Sequence, residues 1–252
     1  MSERRERTSG PVRRVRIVGP GRAGGSLARA LGGAGWEVLP VLGRADDVAG
    51  AAQGVDLVVL ATPDAAIAGV ARTVRPRDGV VVAHLSGSAG LDVLAPHGRR
   101  AAVHPLMALP NPEVGARRLP GGWFAVAGDP MAREVVDALG GRAFAVDDAD
   151  RPTYHAAAVV ASNHLVALLG QVERLAAAVG VPFEAYLDLA AATLDNVRDL
   201  GPGAALTGPA ARGDEDTIRA HLAALPAGDR AAYAALADAA RRLAAEHRES
   251  QP

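Results

Sequence analysis

The chain has 252 residues, 49% of them hydrophobic, so it can bury a core, and disorder as its main state is excluded. Its formal net charge of −1 is too weak to hold a nucleic-acid backbone, and we expect no nucleic-acid partner. Cysteine is absent, which excludes disulfides and thiolate metal sites. All 27 basic residues are Arg, which excludes Schiff-base and P-loop chemistry through Lys.

The amino terminus and the apolar stretches bear on localisation. Residues 1–14 mix Arg and Glu without an apolar run, which predicts a flexible tail and no secretory signal. The most apolar stretch, Ala156–Leu169, is interrupted by polar residues at 162–164 and is shorter than the roughly 20 residues that a membrane span needs. We therefore expect a soluble, cytoplasmic protein without a membrane segment.

Residues 15–149 predict a mostly parallel sheet, because short runs rich in Val alternate with helical stretches as in βαβ units. Pro40 interrupts the second run, where a missing N–H donor is tolerated at an edge or a bulge. The predicted strands are Val15–Val18, Glu37–Leu42, Asp56–Ala61, Gly79–Leu85, Ala101–His104, Trp123–Ala127 and Arg142–Val146. The predicted helices are Gly24–Gly33, Asp64–Val74 and Met131–Leu139.

Residues 150–252 predict an all-α domain, because strand-like runs stop and Ala and Leu recur with helical spacing. Proline, glycine and capping residues mark the ends of the elements. The predicted elements are a helix from Asp150 to Gly180, a helix from Pro182 to Gly201, a loop over 203–213, a short helix capped by Asp214 and a helix from Asp229 to Glu246. The fold class is therefore an α/β domain followed by a helical domain.

A glycine-rich sequence stands directly between the first predicted strand and the first predicted helix. Gly19, Gly21 and Gly24 have the spacing Gly-x-Gly-x-x-Gly, which allows a tight turn, close approach of a pyrophosphate and close packing of the helix. A glycine turn without a ligand, or the similar loop of a methyltransferase, would give the same pattern. We predict a dinucleotide site at Gly19, Pro20, Gly21, Arg22, Ala23 and Gly24.

The end of the second strand bears on which nicotinamide cofactor is bound. Arg44 follows the last motif glycine by about 20 residues, where an Arg side chain neutralises the 2′-phosphate of NADP. Asp46 and Asp47 come next and could instead serve the ribose of NAD, with Arg44 as an exposed loop charge. We expect NADP.

Two dipeptides come directly after predicted strands, Thr62-Pro63 after the third and Ser86-Gly87 after the fourth. Because ligands bind outside the carboxyl ends of parallel strands, we predict that both line the ribose and nicotinamide of the cofactor. Turn formation alone would explain them equally well. Ser86 lacks the surroundings of a nucleophile elbow, and no His, Asp or Glu cluster has metal-ligand spacing, so no metal is expected.

The chain resembles the 6-phosphogluconate dehydrogenase C-terminal-domain-like clan in four motifs, at 19–24, 61–67, 84–87 and 104–107. The clan includes pyrroline-5-carboxylate reductase, ketopantoate reductase and prephenate dehydrogenase. Two further motifs, Tyr154–His164 and Leu206–Asp214, resemble a family that joins a Rossmann-like domain to a helical domain of unknown function. The resemblance covers Val15 to about Glu246 and implies an NADP-dependent oxidoreductase, with some members linked to ketopantoate reduction.

The same resemblance bears on the catalytic residues. Better-known dehydrogenases of the clan carry a Lys on the first helix of the second domain and an Asn one turn later. Asn163 fits the Asn, whereas Val159 stands where the Lys would be, so the usual proton donor is missing. Either another residue supplies the proton, or the chain is a non-catalytic NADP-binding sensor or scaffold.

Histidines are the remaining candidates for protonating a reduced carbonyl. His155 and Asn163 lie eight residues apart on nearly the same face of a regular helix, and His104 ends a strand that points toward the crevice. We predict Asn163, His104 and His155 as catalytic and His164 as a substrate contact; pairing of these polar groups across a domain or subunit contact is the alternative. Of the other histidines, we expect His84 in the core or beside the cofactor, and three in solvent: His97, His221 and His247.

The predicted loop over 203–213 carries Thr207 and Arg212, whose hydroxyl and guanidinium suit an anionic substrate group. Asp214 as a helix cap with Arg212 as its ion-pair partner would be a purely structural account. The Ala-rich helical faces exceed what one small bundle can bury, which predicts a homodimer. The sequence therefore predicts an NADP-dependent reductase of a small carbonyl or imine acid, ketopantoate among the candidates, with the substrate between the domains.

Overall fold

The computed structural model describes residues 12–250, and these divide into two compact units, one ending at Ser162 and one beginning at Asn163. Residues 1–11 of the predicted tail lie outside the described residues. Arg14 is the first residue of a strand, and Arg13 forms an ion pair of 2.7 Å with Glu134. The first strand therefore begins one residue before the predicted boundary at Val15.

The first unit is built on one seven-stranded sheet, in which all seven predicted strands are present. Neighbouring strands run parallel, except that the fifth and sixth are antiparallel. The prediction of a mostly parallel sheet is thus confirmed. The strands are β1 (Arg14–Val18), β2 (Glu37–Val38), β3 (Leu57–Leu60), β4 (Val81–His84), β5 (Arg100–Pro105), β6 (Trp123–Gly128) and β7 (Arg142–Ala145), in the spatial order β2-β1-β3-β4-β5-β6-β7.

The second strand is shorter than its predicted range. β2 contains only two residues, and beyond them Leu42 makes one isolated bridge to Val18 of β1. Pro40 lies in this gap, where it lacks the N–H that a continued ladder would use. The prediction of a continuous strand to Leu42 is therefore wrong, and the break is tolerated because β2 is an edge strand.

Helices cover both faces of this sheet. Alternate strand residues face two apolar clusters, so that Val15 and Ile17 pack in one core with Leu27, whereas Val58 and Leu60 pack in the other. Neither the third helix nor the 3₁₀ turn is predicted from the sequence, because both are short. The helices of this unit are α1 (Arg22–Gly33), α2 (Asp64–Thr73), α3 (Pro112–Arg118), α4 (Met131–Ala138) and α5 (Arg151–Val159), with a 3₁₀ turn at Leu91–Leu94.

The second unit is helical, as predicted. Asp214 caps its fifth helix by accepting a hydrogen bond of 3.1 Å from the Thr217 main-chain N–H. The predicted loop over 203–213 instead contains two helical turns, which Pro202 and Pro209 begin at a position that suits proline. The helices are α6 (Leu165–Ala178), α7 (Phe183–Leu200), α8 (Pro202–Ala205), α9 (Pro209–Arg212), α10 (Glu215–Ala224) and α11 (Ala227–Glu249).

Helical structure runs without interruption from Arg151 to Ala178, through a π-helical turn at Val160–His164. Its 28 residues, with a mean hydropathy of 1.3 over an 18-residue window that is not buried, would suffice for a membrane span by length and composition. No such stretch is predicted from the sequence, where the polar residues 162–164 interrupt the apolar run, but the π turn keeps these residues inside the helix. A single helix of this kind is weak evidence for a membrane.

Candidate functional site

The glycine motif forms the turn from β1 to α1. Gly19 has φ +113°, and a Cβ on it would lie 2.5 Å from the carbonyl oxygen of Ala61. A Cβ on Gly24 would lie 2.0 Å from the carbonyl oxygen of Gly19. Both positions therefore require glycine, the first for its left-handed backbone and the second for close packing of the helix, in agreement with the roles predicted from the sequence.

No contact with the described part of the protein requires a glycine at position 21. A Cβ there would meet no described atom within 4 Å, and its φ of −66° suits any residue. Gly21 is also the N-cap of α1, so the main-chain N–H groups of the first turn, including those of Arg22 and Ala23, lack intrahelical partners. Next to the exposed Pro20, this open helix end is a cradle that a pyrophosphate fits.

The end of β3 adds a polar group to the same edge of the sheet. The Thr62 hydroxyl is buried and has no hydrogen-bond partner among the described residues. Pro63, which is exposed, follows it as the N-cap of α2. A buried hydroxyl without a partner costs about 1–3 kcal/mol. Thr62 therefore fits a polar group of a bound ligand.

The turn after Leu42 contains Arg44, Asp46 and Asp47, the residues that bear on the choice between NADP and NAD. The Asp46 carboxylate accepts a hydrogen bond of 2.7 Å from the Gly43 main-chain N–H. Asp47 accepts one of 2.8 Å from the Ala49 main-chain N–H. Both carboxylates thus stabilise their own turn, whereas the Arg44 side chain is exposed. This arrangement favours Arg44 over the two aspartates as the group that would meet the cofactor.

The Ser86 hydroxyl organises the turn after β4. It donates a hydrogen bond of 2.7 Å to the Asp64 carboxylate and accepts one of 3.0 Å from the Ala89 main-chain N–H. Ser88 donates to the same Asp64 oxygen at 2.9 Å. Turn formation, the alternative left open by the sequence, therefore accounts for the Ser86 hydroxyl, and its contact with a cofactor stays a prediction.

Two predicted catalytic histidines meet at Gly87. A Cβ on Gly87 would lie 2.5 Å from Nδ1 of His155 and 2.9 Å from Nε2 of His104. The two imidazoles have centroids 5.9 Å apart and planes at 76°. Nδ1 of His155 is buried and has no hydrogen-bond partner in the described part of the chain. The fold thus brings together residues from β5, from α5 and from the turn after β4.

His104 makes a short hydrogen bond that the sequence analysis misses. Its Nδ1 lies 2.6 Å from the hydroxyl of Tyr154, at the start of α5. Burial lowers the pKa of His104 to about 4, with smaller contributions from His155 and Arg151. Burial also raises the pKa of Tyr154 to about 12. Both side chains are therefore neutral at physiological pH.

Arg151 is a fully buried cation beside these histidines. Its Nε donates a hydrogen bond of 3.0 Å to Asp148, while its two terminal nitrogens are buried without a partner among residues 12–250. His84 is fully buried at the end of β4, as expected, and accepts a hydrogen bond of 3.2 Å from the Ser86 main-chain N–H. Burial, followed by the Arg151 charge, lowers the pKa of His84 to about 4.

The remaining predicted site residues lie in the second unit. Asn163 and His164 are exposed, in the π-helical turn. The turn begins at Val160, between His155 and Asn163, so the regular α-helical spacing that predicted a shared face for these two residues does not hold. Thr207 and Arg212 are exposed, and Arg212 lines a surface pocket of about 490 Å³ with Arg241 and Arg248. Their roles toward a substrate stay predictions.

One expectation about the other histidines is wrong. His97 is only 3% exposed, and its Nε2 lies 2.9 Å from the carbonyl oxygen of Ala71 in α2. The polar turn that carries His97 folds back onto this helix, which the local sequence does not reveal. His221 is exposed, as expected, and its Nδ1 lies 2.6 Å from the hydroxyl of Tyr233.

Comparisons with known proteins agree with this architecture. None of the curated proteins matches the chain. Three solved structures share its fold: a Bacteroides fragilis protein described as a candidate NADP oxidoreductase, a Plasmodium falciparum pyrroline carboxylate reductase with NADP bound, and an Aspergillus terreus reductive aminase in complex with NADPH4, cyclohexanone and allyl amine. The TM-score and the sequence identity are 0.78 and 20% for the Bacteroides protein, 0.60 and 10% for the Plasmodium reductase, and 0.61 and 19% for the Aspergillus aminase.

The match to the Bacteroides protein covers 92% of this chain and 98% of that protein. The match to the Plasmodium reductase covers 93% and 98%, and the match to the Aspergillus aminase covers 93% and 90%. At these identities the likeness is one of fold. Residues 43–110 match a model of a Rossmann-like domain, and residues 124–240, which span the last two strands of the sheet and much of the second unit, match the domain of unknown function DUF2520. The chain therefore has one region similar to a Rossmann-like domain and another similar to DUF2520.

Proposed function

We propose that the chain is an NADP-dependent reductase of a small carbonyl or imine acid, and that it is soluble and cytoplasmic. One observation carries this proposal: an open phosphate cradle at Gly21 and two imidazoles converging on Gly87 lie at the carboxyl edge of the same sheet. The fold shared with an NADP-bound reductase supports it. Ketopantoate is one candidate substrate.

The residues around the cradle fit NADP. The main-chain N–H groups at the start of α1 would hold the pyrophosphate, and the Thr62 hydroxyl would bond to a polar group of the cofactor. Arg44 would neutralise the 2′-phosphate, because Asp46 and Asp47 are already engaged in their own turn. NADPH, when bound, supplies a hydride. The protein then has to stabilise the charge that is left on the reduced group until this group is protonated.

His104 and His155 are the groups proposed for that task, since their ring nitrogens face the same point beside Gly87. On the strength of the sequence motif, we retain Asn163 as a proposed catalytic residue that positions the substrate oxygen, and His164 as a proposed substrate contact. Thr207 and Arg212 are proposed to bind the anionic group of the substrate, because a hydroxyl and a guanidinium suit a carboxylate. The sequence motif supports these four roles.

Turnover distinguishes a reductase from a non-catalytic NADP-binding sensor. We expect the purified chain to oxidise NADPH steadily in the presence of ketopantoate or another small 2-oxo or imine acid, measured by absorbance of the reduced nicotinamide. Calorimetry with NADPH measures binding independently. Tight binding of NADPH with no oxidation across a broad panel of such acids would favour the sensor and reject the reductase.

Replacing Arg44 with Ala is expected to weaken the binding of NADPH roughly tenfold or more and to leave NADH binding nearly unchanged. The reason is that a charge-assisted hydrogen bond to the 2′-phosphate contributes about 1.5–3 kcal/mol, and NADH lacks this group. Calorimetric titration of both nucleotides measures the difference. Arg77→Ala, another exposed Arg in this unit, is the control. Equal losses for both nucleotides in Arg44→Ala would contradict the choice of NADP.

We also propose that the chain forms a homodimer through its helical unit. The support is a set of apolar side chains that a single chain leaves in solvent, and α7 has no buried residue at all. A second copy is the proposed partner because it would offer the same apolar faces. Sedimentation velocity at micromolar concentration tests this, and a monomer would contradict it. The exposed side chains are Val166, Val179, Val181, Leu187, Leu189, Leu194, Val197, Leu200 and Leu236.

A further inference from the structure

The direction of the hydrogen bond between Tyr154 and His104 follows from the chemistry of the two groups. The Tyr154 oxygen lies 2.6 Å from Nδ1 of His104, a length typical of an O–H donor. A phenol is a much stronger acid than a neutral imidazole N–H, and an imidazole nitrogen is a stronger base than a phenol oxygen. Tyr154 therefore donates its proton to Nδ1, and the single ring proton of neutral His104 is on Nε2.

This tautomer directs a donor at the candidate site. Nε2 of His104 would lie 2.9 Å from a Cβ on Gly87, so its N–H points to the space beside the turn after β4. Phe144 and Tyr154 pack with centroids 5.8 Å apart at 68°, and His104 and Tyr154 with centroids 5.5 Å apart at 88°. These edge contacts hold the phenol ring in place, which keeps the hydroxyl aligned with Nδ1.

We infer that Tyr154 is a positioning residue which holds His104 as a neutral Nε2–H donor, and that the reacting group at this site is a carbonyl oxygen and not a protonated imine. This inference rests on the proposed reductase function, and it narrows the substrate class to 2-oxo acids. Tyr154 itself does not touch the substrate. It acts through the orientation and the tautomer of His104.

The donor distinguishes the two substrate classes. Hydride addition to the carbon of a C=O group breaks its π bond and leaves a negative charge on the oxygen. The Nε2–H stabilises this charge until water supplies a proton, and the product is a 2-hydroxy acid. A protonated imine nitrogen has no lone pair to accept from Nε2–H. Its positive charge would also be disfavoured beside the buried, incompletely paired guanidinium of Arg151. The same positive charge favours a developing alkoxide.

The tautomer is measured directly by ¹⁵N NMR of the histidine rings in the wild-type chain at pH 7, with His104 assigned from a His104→Gln variant. We expect Nε2 of His104 to carry the proton, and the Tyr154→Phe variant to show a mixture of both tautomers. The matched control is Tyr233→Phe, which removes the hydroxyl from the other 2.6 Å His–Tyr pair, His221–Tyr233. A proton on Nδ1 of His104 in the wild type would overturn the inference. An unchanged His104 tautomer in Tyr154→Phe would overturn it as well.

The substrate class is tested with two acids that share a five-carbon skeleton, 2-oxopentanoate and Δ1-pyrroline-2-carboxylate. We expect kcat/KM to be at least tenfold higher for the 2-oxo acid, and Tyr154→Phe to lower its kcat roughly tenfold with little change in the KM for NADPH. A preference for the imine would overturn the carbonyl assignment while leaving the reductase in place. If the chain reduces neither of these acids and no other acid in the panel, the reductase is rejected, and this substrate class is rejected with it.

Discussion

Replacing Gly87 with Ala is expected to lower kcat for an accepted acid substrate by roughly 100-fold, because displacement of catalytic groups by about 1 Å has effects of that size. The added Cβ would lie 2.5 Å from Nδ1 of His155 and 2.9 Å from Nε2 of His104, so both rings must rotate away. The displaced atoms belong to side chains and not to the main chain, so the fold is expected to persist. Initial rates of NADPH oxidation measure the effect.

Gly98→Ala is the matched control for this substitution, since a Cβ on Gly98 would meet no described atom within 4 Å. We expect this variant to retain the wild-type kcat. Thermal unfolding of both variants separates a loss of fold from a loss of activity. Wild-type turnover in a folded Gly87→Ala protein would show that the two imidazoles at this turn take no part in the reaction.

The second large effect is on the pH dependence of stability. The folded-state pKa of His84, about 4, lies below the ordinary value of 6.5, so the unfolded chain binds more protons between these values. The stabilisation is therefore fully present above pH 6.5 and is lost as the pH falls toward 4. At about 1.4 kcal/mol for each unit, His84 alone would reduce the free energy of unfolding by about 2–3 kcal/mol between pH 7.5 and pH 4.5.

Urea unfolding followed by fluorescence measures this loss, because both tryptophans, Trp36 and Trp123, lie in the sheet-containing unit. His84→Gln is expected to show a flatter pH dependence, since the amide oxygen can still accept from the Ser86 main-chain N–H but does not ionise. His221→Gln, in which an exposed imidazole is replaced, should retain the wild-type slope. Identical slopes for His84→Gln and the wild type would contradict the assignment of a neutral, buried His84.

The elements of this fold could be read largely from local sequence. All seven strands are found within a residue or two of their predicted positions, apart from the shortened β2. Asp214 was recognisable as a helix cap because its partner, Thr217, is three residues away. Short elements were harder: α3 is marked by Pro112 at its first position and by Asn111, whose side chain accepts from the Val114 main-chain N–H at 2.8 Å. Such a cap fits a turn as well as a helix.

The candidate site was predictable only in part, since its decisive contacts join distant segments. Tyr154 and His104 are 50 residues apart, and Asp64 is 22 residues from Ser86. The sequence identified His104 and His155 as candidates by residue type, but not Gly87 as the point where their rings meet. It also missed the burial of Arg151, because a charged residue near a helix start is ordinarily solvated.

The sequence by itself determined the glycine turn between β1 and α1, because backbone freedom at Gly19 and the small size of Gly24 are requirements of covalent geometry and close packing. It also determined the change from a sheet to helices, which hydrophobic periodicity encodes along the chain. Only the tertiary structure decided the tautomer of His104, the neutrality of His84 and the isolation of the Arg151 charge. These depend on burial and on partners from other elements, and desolvation is a property of the packed chain that no single segment carries.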